Sequence, residues 1–259
     1  MILHHYTSGT GLLGIINSSS IWSTNIHFMN DSQEFIHGLD MARSEIISLR
    51  QSSTSLREIS TYDNIISTID SASQLSVYVA CFSEKGDSLS QWRGYCPSGF
   101  GYNIGFNKSL LCECASQQGF YLKKCIYNPQ EKKNTIQNWG GRVASSIKEN
   151  IDKIDDLIKQ LFLIAPFFKH ESFIEESEWR LISFINLDDI RINLRPGKST
   201  LIPYVPLDLK LNEKNELIWN ICIGPTPNID LASRALPTLF NKLNIVNGII
   251  HTQIPYRDW

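Results

Sequence analysis

The spacing of apolar residues changes rhythm at Val77. Before it the chain is mainly helical in period, and after it mainly extended. Ile2–Thr7 is short and apolar-rich and reads as a strand. Ser8-Gly9-Thr10 supplies a turn and a cap, and Gly11–Asn17 then places Leu12, Leu13, Ile15 and Ile16 at helical spacing. Ile21-Trp22-Ser23 reads as a second short strand. Phe28–Ser32 is a loop in which Asp31 caps the next helix, with Glu34 as the capping-box acid. That helix runs to about Arg50 on Phe35, Leu39, Met41, Ile46 and Ile47; Ser52–Ser55 is a break, and Leu56–Ser73 is helical again.

From Val77 the readings change. Val77–Phe82 is a buried strand, Ser83–Ser90 a polar loop and Pro97–Gly101 a turn. Tyr102–Phe106 and Gly119–Tyr127 read as strands, Asn134–Phe168 as mostly helix, and Trp179–Ile185 as a strand behind an acidic turn. Ile190–Leu194, Ile202–Val205, Ile218–Ile223 and Val246–Ile250 add strands, and Asn228–Leu243 is a helix. Strands cluster apart from helices, so the expected class is α+β, one domain over residues 1–259 with an inserted helical segment.

Composition adds exclusions. Apolar residues are 42% and charged residues 19% of 259, enough for a sizeable core. A net charge of −2 argues against a surface that is basic throughout. There is no signal-peptide pattern, and the run Leu157–Phe168 falls short of the roughly 18 residues of a membrane span, so a cytoplasmic chain without a membrane partner is expected. The six cysteines are then reduced thiols. Cys112 and Cys114, the one close pair, read as small apolar strand residues, and no metal site is expected.

Three constellations carry candidate chemistry. In His4-His5-Tyr6-Thr7, strand alternation puts His5 and Thr7 on one face, where a histidine can donate a hydrogen bond to a ribose hydroxyl. Ser83 and the segment from Ser88 to Tyr95 gather Trp92, Arg93 and Tyr95, suited to stacking on a base and forking onto a phosphate. The plain alternative is a Trp92 core anchor with Arg93 at the surface. In Glu175-Glu176-Ser177-Glu178-Trp179-Arg180, Glu176, Glu178 and Arg180 share a strand face. That is either simple solvent exposure or a carboxylate poised to stabilise an oxocarbenium-like centre.

The ordered motifs His5–Ser8 with Gly11–Ile16, Trp22–Glu34, Cys81–Tyr95, Phe173–Leu181, Ile223–Asn228 and Ile254–Arg257 resemble the bacterial domain-of-unknown-function 2971 family. The opening strand, short helix and isolated strand also look like the start of ADP-ribosyltransferases, particularly toxins that modify nucleic acid. That second resemblance implies a split β-sheet core and NAD as substrate. Its acceptor would be a macromolecule such as RNA or DNA, in toxin–antitoxin or anti-phage defence, with an antitoxin or chaperone as a further partner. Residue by residue it makes His5, with Tyr6 and Thr7, the NAD-binding strand, and Ser83 or Tyr95 the middle position. Trp92 and Arg93 join the NAD-binding set. Glu178 becomes the catalytic carboxylate and Glu176 its acceptor-positioning partner. NAD glycohydrolysis and a non-catalytic nucleotide-binding or nucleic-acid-binding module are the alternatives. The strand from Ile2 should then lie adjacent to the one from Trp179, within about two strand spacings, roughly 10 Å.

Overall fold

A computed structural model describes the whole chain apart from residues 30–31, 75, 97–99, 150–152, 212–215, 244–247 and 255–259. The Asp31 cap, most of the 97–101 turn, the start of the last strand and the Pro255-Tyr256-Arg257 motif lie outside the described residues. The elements, in order, are β1 (Ile2–Thr7), α1 (Gly9–Ser18), β2 (Ser20–Asn25), α2 (Ser32–Ser52), α3 (Leu56–Asp70), β3 (Val77–Ser83), α4 (Leu89–Tyr95), β4 (Tyr102–Asn107), α5 (Lys108–Ser116) and β5 (Tyr121–Lys124). There follow α6 (Pro129–Lys148), α7 (Ile154–Ile164), β6 (Glu178–Phe184), β7 (Asn193–Pro196), β8 (Leu201–Asp208), β9 (Ile218–Ile223), α8 (Ile229–Leu243) and β10 (Ile249–His251).

The local signals explain the first elements. The Ser8 hydroxyl accepts from the Gly11 N–H and caps α1. Ser19, at φ 51°, ends that helix in the left-handed region and turns the chain into β2.

The sheet forks at β3. Its full length pairs with β6, from Val77↔Phe184 to Ser83↔Glu178. The other edge is shared: β1 meets it at His4↔Ser83, and β2 meets it at Thr24↔Val79 and Asn25↔Tyr78. From this edge β1 leads to β4, β9 and β10, and β2 leads to β8 and β7. Between the two contacts no strand among the described residues pairs with the edge at Ala80–Phe82. Both branches run antiparallel to β3, so they are parallel to each other, and α1 crosses between them.

Helices cover both faces. Phe35, Leu39, Ile65, Trp139, Val143 and Leu161 pack on Val77, Val79 and Ile182. On the opposite face Leu12, Ile15, Leu111, Ala115 and Leu236 pack on Leu3, Phe82, Phe106 and Leu181. The architecture is mixed α+β, a large mixed sheet between two helical layers.

Several local expectations are corrected. β1 and β6 are not adjacent, because β3 lies between them, but the register His4↔Ser83↔Glu178 keeps them two strand spacings apart, within the expected limit. Ser83–Ser90 is not loop throughout: α4 begins at Leu89, a seven-residue helix too short to stand alone and held by burial of Gln91 and Trp92. Cys112 and Cys114 lie on helix α5, where the Asn107 side chain caps Ser109 and Leu110. The Ile190–Leu194 strand moves to Asn193–Pro196. Glu176 does not share a strand with Glu178. It closes a 3-10 turn, Glu171–Glu176, and Ser177 at φ 46° swings the chain into β6.

Candidate functional site

The fork encloses a cavity of about 510 Å³. Its walls are His4–Ser8 of β1 and the following turn, Val79–Phe82 of β3, and Ser20, Trp22 and Thr24 of β2. Gly11 and Ile15 of α1 close it, and Glu176 and Glu178 stand at one end. Among the predicted residues it therefore gathers His5, Tyr6, Thr7, Tyr95, Glu176 and Glu178.

His5 occupies the open edge of β3. Its Nδ1 lies 2.9 Å from the Cys81 carbonyl oxygen, which only accepts, so Nδ1 carries the proton. Burial lowers the imidazole below its ordinary value, although the Cys81 hydrogen bond opposes this, so the ring is neutral at pH 7. Nε2 then has a lone pair. The histidine can accept a hydrogen bond from a hydroxyl, the reverse of the donation expected for it. Neighbouring His4 is the histidine in register with Ser83, and through it with Glu178.

The glutamates sit in a buried ionic chain. Lys169 Nζ donates to Glu176 Oε2 at 2.6 Å and to Glu178 Oε2. Arg180 Nε donates to Glu178 Oε1 at 2.8 Å, and its Nη2 reaches Glu34 Oε2 at 3.3 Å. Side chains of Lys169, Glu178 and Arg180 are 1–3% exposed, whereas that of Glu176 is 20% exposed. Burial would raise the Glu178 carboxyl, but Arg180 and Lys169 outweigh it and hold it below the usual carboxylate range. The turn is fixed from both sides: the Ser83 hydroxyl donates to the Glu176 carbonyl at 2.6 Å, and the Glu178 N–H donates to the Tyr127 hydroxyl at 2.8 Å. Glu178 is thus a buried ion-paired group rather than an exposed one.

The segment around α4 divides. Tyr95 and Gln91 line the cavity. Burial, then Cys81 and Glu178, push the Tyr95 phenol far up, leaving it a neutral hydrogen-bonding group. Trp92 is interior: it packs edge-on to Tyr6 at 4.6 Å and donates Nε1 to Asp87 at 2.7 Å. Its ring is a core anchor and cannot stack on a ligand. Arg93 is exposed on α4 and does not line the cavity. Ser83 is buried and spends its hydroxyl on the Glu176 turn. Cys81 faces the cavity, but burial and then Glu178 push its thiol well up, so it is no nucleophile at pH 7.

Several residues in or beside the cavity carried no sequence signal of their own as site residues. Lys169 bridges the two glutamates from a segment with no clear periodicity. Arg195 and Trp22 line the cavity end remote from the glutamates, brought there by β-pairing of distant segments. Among the described residues no group of three or more His, Cys, Asp or Glu side chains could hold a metal ion, and no helix is long and apolar enough to cross a membrane.

A family model described as "Protein of unknown function (DUF2971)" matches residues 91–181. That stretch runs from α4 into β6 and contains Tyr95, Lys169, Glu176 and Glu178. It supports that family's resemblance, and its description assigns no activity. No curated protein and no solved structure matches the chain.

Proposed function

We propose that the forked cleft belongs to an ADP-ribosyltransferase-like split sheet, and that it binds NAD and cleaves the bond between nicotinamide and ribose. The ADP-ribosyl group then passes to a macromolecule, with RNA or DNA as the acceptor class and a toxin role in defence as the setting. One observation supports this reading: a neutral histidine, its Nδ1 held by Cys81, and two carboxylates line one cavity at a break in the sheet. The cavity volume is within the range of small-ligand sites.

In this reading His5 Nε2 accepts from a ribose hydroxyl and orients the sugar. As the C1′–N bond breaks, nicotinamide leaves with the bonding electrons and positive charge grows at C1′. A carboxylate at that point stabilises it. An acceptor nucleophile then bonds C1′ and passes its proton to solvent. Glu178 has both oxygens held by cations, so its field is largely spent on Lys169 and Arg180. Glu176, more exposed and paired to Lys169, is the carboxylate better placed to face new positive charge, with Glu178 positioning Lys169. The same clamp on Glu178 favours the second reading, a module that binds a nucleotide without turning it over.

Incubation with NAD labelled in its adenylate half separates the readings. Label on RNA, DNA or protein with release of nicotinamide supports transfer, and free ADP-ribose supports hydrolysis. Binding without either product supports the binding module. No binding removes NAD from consideration.

A further inference from the structure

The cavity has two chemically opposite ends. Glu176, the more exposed of the two glutamates, presents a carboxylate at one. The other is built by β2, β8 and β7, where the pairs Thr24↔Tyr204 and Asn193↔Tyr204 bring three strands into register. There the Trp22 ring stacks on Tyr204, with centroids 4.3 Å apart and planes 26° apart, and Trp22 remains 43% exposed. Arg195 reaches over from β7 to donate Nη2 to Thr24 Oγ1 at 3.2 Å. Its Nε is shielded from solvent and has no hydrogen-bond partner among the described residues. Arg195 also lines the cavity, so its positive charge favours an anionic ligand there.

Thr24 contacts β3 at Val79 and Glu178 contacts it at Ser83, roughly 13 Å apart along the strand. A ligand that touches both ends is therefore elongated, cationic at one end and anionic at the other. The net charge of −2, and one arginine among the described cavity-lining residues, fit a compact phosphate-bearing ligand better than a long polyanion.

We propose that Arg195 and Trp22 form a nucleoside-diphosphate subsite. The guanidinium takes the phosphates and the indole face, fixed by Tyr204, takes the base. Its extension to NAD, with nicotinamide at the glutamates, rests on the function proposed above.

Calorimetric titration of the purified chain with ADP and, separately, with NAD tests both. Arg195→Lys keeps the charge but loses the planar fork, and should weaken ADP and NAD about tenfold. Trp22→Leu should weaken ADP while leaving inorganic pyrophosphate unchanged. Both positions are at least partly exposed, and an unchanged melting temperature shows that the variants fold. Variants that bind NAD as tightly as the parent overturn the subsite and leave the NAD reading standing. ADP binding that depends on Arg195, in a chain that does not bind NAD, supports the subsite and overturns the NAD reading. Binding of neither nucleotide overturns both. A single-stranded oligonucleotide that outcompetes ADP in an Arg195-dependent way overturns the assignment to a compact nucleotide.

Discussion

Ser83 donates its hydroxyl to the carbonyl oxygen of Glu176 at 2.6 Å, joining the last residue of β3 to the turn that delivers both glutamates. The Ser83 Oγ in turn accepts from the Lys85 N–H at 3.0 Å. Ser83→Ala leaves the carbonyl and the N–H short of a partner, which costs about 1–3 kcal/mol. Chemical denaturation should register that loss. If the cleft is catalytic, turnover should fall further than binding, because the turn that places Glu176 loosens. Unchanged stability and turnover would show that the turn is held by other contacts.

Glu178→Gln takes the negative charge from between two buried cations. Removing one partner of a buried pair costs about 3–5 kcal/mol, so this variant should melt well below the parent whatever its activity. The pH dependence has a definite sign. The folded Glu178 titrates below its ordinary value of 4.5, so its contribution is present above 4.5 and is lost as pH falls through the folded value. Stability of the glutamine variant should be flatter with acid than that of the parent. Equal melting temperatures at neutral pH would contradict the buried-pair description.

Histidines shape a second pH window. Burial lowers His4, His5 and His27 below 6.5. Between those lowered values and 6.5 the unfolded chain binds more protons than the folded one. Stability should therefore climb with pH up to 6.5 and level off above it. His5→Gln can still donate to the Cys81 carbonyl but does not titrate, so it should reduce the slope measured by urea melts between pH 5 and 7.5. A slope identical to the parent's would mean that His5 is not neutral and buried as described.

Trp92 should matter for folding and not for ligand stacking. It is 1% exposed, touches Tyr6, and stands so close to Gly224 that a Cβ there would come within 2.8 Å of its ring. Trp92→Ala should cost about 3–5 kcal/mol through the cavity it leaves. Trp92→Phe should be milder, losing chiefly the bond to Asp87. Nucleotide affinity measured on the folded phenylalanine variant should match the parent, and a large drop would return Trp92 to the ligand.

The apolar pattern alone determined the elements whose sequence is strongly periodic or strongly apolar. Val77–Phe82 is all β-formers and apolar side chains, and it became β3, paired along its whole length with β6. Leu56–Asp70 kept its helical spacing as α3. The segments from Leu89 and from Lys108 lack such a pattern, and they became helices because Trp92, Leu111 and Ala115 are buried by distant parts of the chain. At the candidate site the sequence marked Glu176, Glu178, His5 and Tyr95, since chemistry-bearing residues next to a strand are visible locally. It left Glu178 undecided between exposed charge and functional charge. That choice depended on Lys169, reached only through the fold of the Glu171–Glu176 turn, and on Glu34, 146 residues from its partner Arg180. Arg195 meets Thr24 across 171 residues for the same reason. Short-range periodicity records which side of an element is buried, whereas strand pairing and ion pairing between remote segments are set by the packed chain as a whole.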